Sequence, residues 1–238
     1  MNIAGFQPLS LIDFPGVISS IVFTQGCPFR CAYCHNPELI PVTTVHEEAT
    51  VVVGKIKEET VFDHLKKHHH LIEGIVITGG EPTIHPDLPE FIQRVKRLGF
   101  KVKLDTNGVN PRMIQKLIDQ KLADFFAMDL KHLWEKYADV IGIENNTVIE
   151  NCRETFHLIQ ESPIRHEFRT TVYAAYHTPE TLLAISDQLK DGEHYALQQV
   201  RYEKTRDTAI RKLPKLNLEA AAERIRSAHP SLHIDVRV

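Results

Sequence analysis

Six short runs rich in β-branched and aromatic residues, separated by longer stretches of helical period, leave this chain few folds to choose from. They cover residues 18–24, 74–78, 101–105, 124–129, 166–172 and 195–200, and their length and composition predict strands. Between them Leu88, Phe91, Ile92, Val95 and Leu98 recur at helical spacing, as do Met113, Ile114, Leu117 and Ile118. Each set makes one apolar face of an amphipathic helix. Asn110-Pro111 and Thr178-Pro179 place a capping side chain before a proline at the first helical position, where a missing N–H costs nothing. Strand and helix alternating in this way predict parallel strands joined by right-handed crossovers, in a whole or partial barrel or a doubly wound sheet. Residues 1–17 are expected to be an extended lead-in. Residues 217–238 are expected to add one helix, with Leu218, Ala221, Ala222 and Ile225 on its apolar face, and an edge strand from Leu232 to Val238.

Composition supports one globular unit over residues 1–238, with a core at about 17–200 and an extension at 201–238. Leu, Ile, Val and Phe contribute 72 of 238 residues, well above the share at which chains stay unfolded. A formal net charge of −3 with dispersed basic residues argues against nucleic acid as the partner. Arg30 is the first basic side chain, so no signal peptide is expected. The longest apolar runs fall far short of a membrane span, and a cytoplasmic protein is expected.

The cysteines concentrate the chemistry. Three of four, Cys27, Cys31 and Cys34, fall within eight residues in the loop after the first predicted parallel strand. A structural zinc site wants four closed ligands. Cys152 shares a helical face with Val148, Phe156 and Ile159 and is expected to be a buried thiol. His35 could complete a zinc set only by straining back from its place next to Cys34. Three thiolates suit a four-iron cluster better, leaving one iron open to a substrate. Polar groups gather at the carboxyl ends of later strands as well: Gly79-Gly80-Glu81-Pro82, Asp105-Thr106-Asn107-Gly108 and Asp129-Leu130-Lys131. In a parallel barrel those ends share one mouth. Gly74-x4-Gly79 lacks the Lys-Ser/Thr pair of a phosphate loop, and no G-x-G-x-x-G follows a strand. His68-His69-His70, after Lys66-Lys67, is expected to be a solvated helix end. Trp134 and Tyr137 suit a docking rim or the core.

Cys27-x3-Cys31-x-Tyr33-Cys34 followed by Gly79-Gly80-Glu81-Pro82 resembles the radical S-adenosylmethionine (SAM) enzymes. Ile12-Asp13-Phe14-Pro15-Gly16, Cys34-His35-Asn36-Pro37-Glu38, Leu104-Asp105-Thr106-Asn107-Gly108 and Met128-Asp129-Leu130-Lys131 are similar to segments of the glycyl-radical-enzyme activases. Within those the chain most resembles the activating proteins of anaerobic ribonucleoside-triphosphate reductase. The resemblance implies a partial (β/α)6 TIM-like barrel with a short N-terminal lead-in and a C-terminal helix-strand extension. It implies a [4Fe-4S] cluster on Cys27, Cys31 and Cys34, with SAM chelating the fourth iron and yielding a 5′-deoxyadenosyl radical. It places Gly79, Gly80 and Glu81 at the methionyl ammonium and Tyr33 against the adenine. Asn107 joins the cofactor-binding set, and Lys131 and Arg169 face a carboxylate or ribose oxygen. Asp105 and Asp129, with Thr106, would help to place a monovalent cation. Gln198 stands where activases often present a histidine to the ribose. The implied partners are a glycyl radical enzyme, with anaerobic ribonucleotide reductase foremost, and flavodoxin or ferredoxin as electron donor. The rival readings are a radical SAM enzyme acting on a small molecule, such as a 7-deazaguanine synthase, and a non-catalytic metal-binding or electron-transfer module.

Overall fold

The computed structural model describes residues 1–40, 56–209 and 213–238. Eight strands form one sheet in chain order: β1 Ile3–Ser10, β2 Ser19–Thr24, β3 Gly74–Gly79, β4 Lys101–Thr106, β5 Phe125–Asp129, β6 Arg165–Val172, β7 His194–Gln199 and β8 His233–Arg237. Strands β2 to β8 run parallel, each beside its predecessor, and the sheet stays open between β1 and β8. All six predicted strands are present and the partial barrel stands. The C-terminal strand continues its parallel order as a seventh member. The N-terminal lead-in is more ordered than expected: it is an antiparallel edge strand on β2, irregular around Pro8, as an edge position allows.

Helices make the crossovers: α1 Glu58–Lys67, α2 Leu88–Arg97, α3 Pro111–Asp119, the short α4 Tyr137–Ile141 with α5 Asn146–Glu161, α6 Pro179–Ser186 and α7 Leu218–Ala228. The expected caps form, with Asn110 accepting from the Met113 N–H and Thr178 from the Thr181 N–H. Leu98 is a correction: it is the C-cap of α2 and 38% exposed, while Leu88, Phe91, Ile92 and Val95 are buried. His68 caps α1 and His69 and His70 are exposed, the solvated end expected. Among the described residues, no helix is long and apolar enough to cross a membrane.

Period two along the strands separates two environments. Ile75, Ile77, Val102, Leu104, Phe126, Met128 and Phe168 join the helices in the main core. The alternate side chains fill the concave face. A small apolar plug of Phe14, Ile21, Val76, Phe125 and Ala127 occupies its lower end, with Phe14 and Phe125 edge to face at 6.0 Å. Ile12-Asp13-Phe14-Pro15-Gly16 therefore serves the fold from the end opposite the cysteine loop.

Candidate active site

Above that plug the concave face carries a column of alternating charge. Arg237 of β8 forks onto Glu167 of β6 at 2.6 and 3.2 Å, and Lys103 of β4 lies 3.8 Å from Glu167 and 2.9 Å from Asp105. Arg169 then bridges Asp105 at 3.2 Å and Asp129 at 3.0 Å, and Lys131 approaches Asp129 at 3.2 Å. Asp129 and Arg169 are register partners on adjacent strands, so their side chains emerge on one face. Burial alone would raise the Asp105 carboxyl, but the Arg169 and Lys103 charges bring it down to about 2. Asp129 is also lowered, its burial outweighed by Lys131 and Arg169. Each aspartate faces two chain cations, which would compete with any metal cation for its oxygens. Lys103, Glu167 and Arg237 escaped the sequence reading, although Lys101-Val102-Lys103-Leu104-Asp105 alternates and so puts Lys103 on the face of Asp105.

The column opens into a cavity of about 210 Å³ at the carboxyl ends of the strands. Every residue the sequence nominated lines it: Cys27, Cys31 and Cys34 with Tyr33; Gly79, Gly80 and Glu81; Asp105, Asn107, Asp129, Lys131, Arg169 and Gln198, with Thr106 beside them. Phe29, His35, Asn36, Ile40, Thr78 and Thr171 complete the wall. Thr78 and Thr171 follow Val76 and Arg169 at period two and were legible. Ile40 arrives through a fold-back closed by the Gly26 N–H on the Leu39 carbonyl at 2.8 Å, which nothing local announces.

The diglycine is required by closeness. Gly79 has φ +114°, and a Cβ there would lie 2.4 Å from the Thr24 nitrogen; on Gly80 it would lie 2.0 Å from the Gly26 carbonyl oxygen. The third strand end thus packs backbone to backbone against the start of the cysteine loop, with Glu81 N–H donating to that same carbonyl at 2.7 Å. Gly80→Ala is expected to cost about 2–3 kcal/mol, the penalty of forced overpacking, measured as a shift in urea midpoint.

Glu81, 1% exposed, acts as a hub. Its Oε1 accepts from the Thr83 N–H and from the hydroxyls of Thr83 and Thr106, and its Oε2 from the Asn107 N–H at 2.7 Å. Burial pushes its carboxyl up, against these four bonds. Asn107 is fixed in turn: its Oδ1 accepts from the Val109 N–H at 3.0 Å, which turns Nδ2 toward Cys27 Sγ at 3.6 Å. Tyr33 is buried beside Tyr173, with the Lys131 ammonium 5.8 Å from its ring centre and its own hydroxyl without a hydrogen-bond partner among the described residues. Tyr137 and Trp134 belong to the core: Tyr137 is fully buried and donates to the Asp129 carbonyl at 3.1 Å, and Trp134 packs on it and on Phe156.

Two histidines brace the mouth. His177 Nδ1 accepts from the Tyr173 N–H at 3.0 Å, so its Nε2–H donates to the Lys131 carbonyl at 2.8 Å. His132 stacks on it at 5.4 Å and donates to the Tyr176 carbonyl. Burial, reinforced by His132, pushes His177 down to about 4. A depressed histidine adds stability that is full above about pH 6.5 and is lost as pH falls toward 4, up to about 3 kcal/mol. Urea titrations at pH 7 and 4.5 are expected to show that loss, and His177→Gln, which does not titrate, to lose less by that amount.

A family model described as the radical SAM superfamily matches residues 21–192. The chain belongs to the radical SAM superfamily. A Methanocaldococcus jannaschii protein whose name assigns it to the glycyl-radical enzyme activating enzymes is 33% identical over 215 residues, 89% of this chain and 85% of that protein. A Staphylococcus aureus pyruvate formate-lyase-activating enzyme is 29% identical over 67% of this chain, which spans 65% of that relative. Among solved structures, Streptococcus suis SuiB bound to S-adenosylmethionine superposes with TM-score 0.65 at 13% identity, over 90% of this chain and 48% of SuiB. Escherichia coli QueE gives 0.54 at 18% identity, over 100% and 93%. Both likenesses are of fold.

Radical SAM enzymes use a [4Fe-4S] cluster and SAM, and the site fits both. Its three thiols are free and line one cavity. Yet among the described residues no His, Cys, Asp or Glu side chains form a group of three that could hold a single metal ion. Three thiols match the ligand count of a [4Fe-4S] cluster with one open iron and fall one short of a closed structural zinc site. Cys152 stays buried on α5, its thiol pushed up to about 12 by burial. His35 is already engaged, its Nε2 accepting from the Arg201 N–H at 3.0 Å.

Proposed function

We propose that this radical SAM enzyme activates a glycyl radical enzyme, and that the partner is an anaerobic ribonucleoside-triphosphate reductase. The observation that carries the reading is the division of the cavity: three thiols on one wall, the buried Glu81 carboxylate on a second, and Arg169 with Lys131 on a third. Cys27, Cys31 and Cys34 would hold the cluster, which, reduced by one electron from flavodoxin or ferredoxin, would supply cleavage of SAM to methionine and a 5′-deoxyadenosyl radical able to take hydrogen from a partner glycine. The chain's residues position that chemistry. The charge of Glu81 and the backbone of Gly79 and Gly80 attract the methionyl ammonium. Glu81 ties the surrounding loops mainly through Oε1, which three donors share, while Oε2 takes one donor and keeps an acceptor site. Arg169 and Lys131, held by Asp105 and Asp129, face the carboxylate. Tyr33 borders the adenine and Gln198 the ribose. Asn107 donates to the Cys27 sulfur, an interaction that orients the ligand and tunes the cluster.

The names of the activating relatives support the class of partner, the Cys34-His35-Asn36-Pro37 tail argues against a small-molecule 7-deazaguanine synthase, and the choice of the reductase within the class rests on overall resemblance. The test is anaerobic incubation with SAM, reductant and the reductase, followed by EPR. A glycine-centred doublet that requires all three cysteines is the expected result. Formation of 5′-deoxyadenosine without a doublet on any glycyl partner would overturn the activase reading in favour of a small-molecule substrate.

A further inference from the structure

Beyond β7 the chain turns back over the cysteine loop. Tyr202–Lys204 make one 3-10 turn. Thr205, 4% exposed, then donates its hydroxyl to the carbonyls of Tyr202 and Asp207 at 2.9 and 3.0 Å. These bonds set the shape of residues 202–207 from within. From that frame the Arg206 N–H reaches the Cys34 carbonyl at 3.1 Å and the Asp207 N–H the Ala32 carbonyl at 2.9 Å. The Arg201 N–H reaches His35 Nε2 at 3.0 Å, and the Arg206 guanidinium reaches the Arg30 carbonyl at 2.5 Å.

The first half of the cysteine loop is shaped differently. Arg30 folds onto the carbonyls of Cys27, Pro28 and Phe29, and its N–H is anchored on Ile141. The second half, Ala32 to His35, leans on residues 201–207. A carbonyl held by a hydrogen bond fixes its whole peptide plane. The planes fixed here are Ala32–Tyr33 and Cys34–His35, which lie on either side of the Tyr33–Cys34 pair. Holding both limits the backbone rotations that aim the Cys34 thiol and the Tyr33 ring.

We propose that residues 201–207 form a positioning strap for the cofactor loop, whose backbone N–H groups clamp the two peptide planes flanking Tyr33 and Cys34. This rests on the reading of Cys34 as a cluster ligand. The strap gives a role to the start of the C-terminal extension, which carries no recognisable motif.

The test uses the full chain reconstituted with iron and sulfide under anaerobic conditions. Arg206→Pro deletes the N–H that holds Cys34, and Thr205 already has the extended backbone, φ −78° and ψ 147°, that a following proline requires. Arg206→Ala removes the guanidinium and keeps the N–H. His35→Phe removes the acceptor of Arg201 and leaves the strap backbone untouched. Iron release to a chelator is expected to be roughly five- to ten-fold faster in Arg206→Pro, the fold-change of about one hydrogen bond. It should be less than about two-fold faster in Arg206→Ala, with His35→Phe between the two. The EPR g values of the reduced cluster should shift in Arg206→Pro and stay at the wild-type values in Arg206→Ala. Wild-type retention and spectrum in a folded Arg206→Pro would overturn the strap alone. If that variant does not fold, hydrogen exchange on the reconstituted wild-type chain decides: Arg206 and Asp207 amides that exchange as fast as those of an open loop overturn it. A wild-type chain that takes up no iron and sulfide would overturn the cofactor reading and the strap with it.

Discussion

Arg169→Met is expected to destabilise the protein by about 3–5 kcal/mol, the usual cost of removing one partner from a buried ionic network, and to weaken SAM binding at least about ten-fold. The guanidinium is 11% exposed and, among the described residues, is the one group bridging Asp105 and Asp129. Without it two carboxylates remain side by side in a buried column, each with a single lysine. The pH signature separates this from a packing defect. The Asp105 carboxyl, held at about 2 in the intact protein, adds stability that is full above about pH 3.8 and lost as pH falls toward 2. Losing Arg169 raises that carboxyl, so acid unfolding begins at higher pH. Arg169→Lys keeps the charge but cannot fork onto two aspartates, and an intermediate loss is expected. Circular dichroism along an acid titration, with urea midpoints at pH 7, makes the measurement. An Arg169→Met protein with wild-type stability and an unmoved acid limb would show that the column does not depend on this bridge.

What the sequence disclosed and what it hid divide along physical lines. Strands β2 to β7 and the cavity residues at their carboxyl ends were legible because period and strand polarity are local properties, and parallel order sends every carboxyl end to one mouth. β1 was less legible: Ile3–Ser10 contains Gly5 and Pro8 and buries only Ile3, Ala4 and Ser10, so it carries little alternation. The charges of Lys103 and Glu167 were visible in their strands, but their pairing depends on register across three neighbours and on Arg237 about 70 residues away. The same holds for His132 with His177 and for the strap on Ala32 and Cys34. Such contacts join loops distant in the chain, and no periodicity encodes them. The place of Glu81 in Gly79-Gly80-Glu81-Pro82 suggests a carboxylate offered to a ligand; in the folded chain it lines the cavity and also accepts four hydrogen bonds from the loops around it, which the motif does not announce.

Those four bonds make Glu81 the other position where a small change should have a large effect. Glu81→Leu is expected to cost about 4 kcal/mol. It leaves the N–H groups of Thr83 and Asn107 buried without acceptors, each worth about 1–3 kcal/mol, while the two threonine hydroxyls can rotate toward other partners. Glu81→Gln has the same shape and should still cost about 2 kcal/mol. If its oxygen faces Thr83, its NH2 meets the Asn107 N–H donor to donor; if the amide flips, the conflict moves to Thr83 and Thr106. Either way one backbone donor loses its acceptor. The Asn107 side chain depends on that backbone position, so both variants should also loosen its hydrogen bond to Cys27 Sγ. Loss of the negative wall removes the attraction for the methionyl ammonium, and SAM affinity is expected to fall roughly ten-fold or more in each. Urea denaturation of the apo-protein reads the first effect, and calorimetric SAM titration of the reconstituted protein reads the second. A Glu81→Gln protein as stable as wild type would mean that hydrogen-bond acceptance by the carboxylate is not what ties the ends of β3 and β4 together. Full stability combined with lost affinity would instead assign Glu81 to the ligand directly.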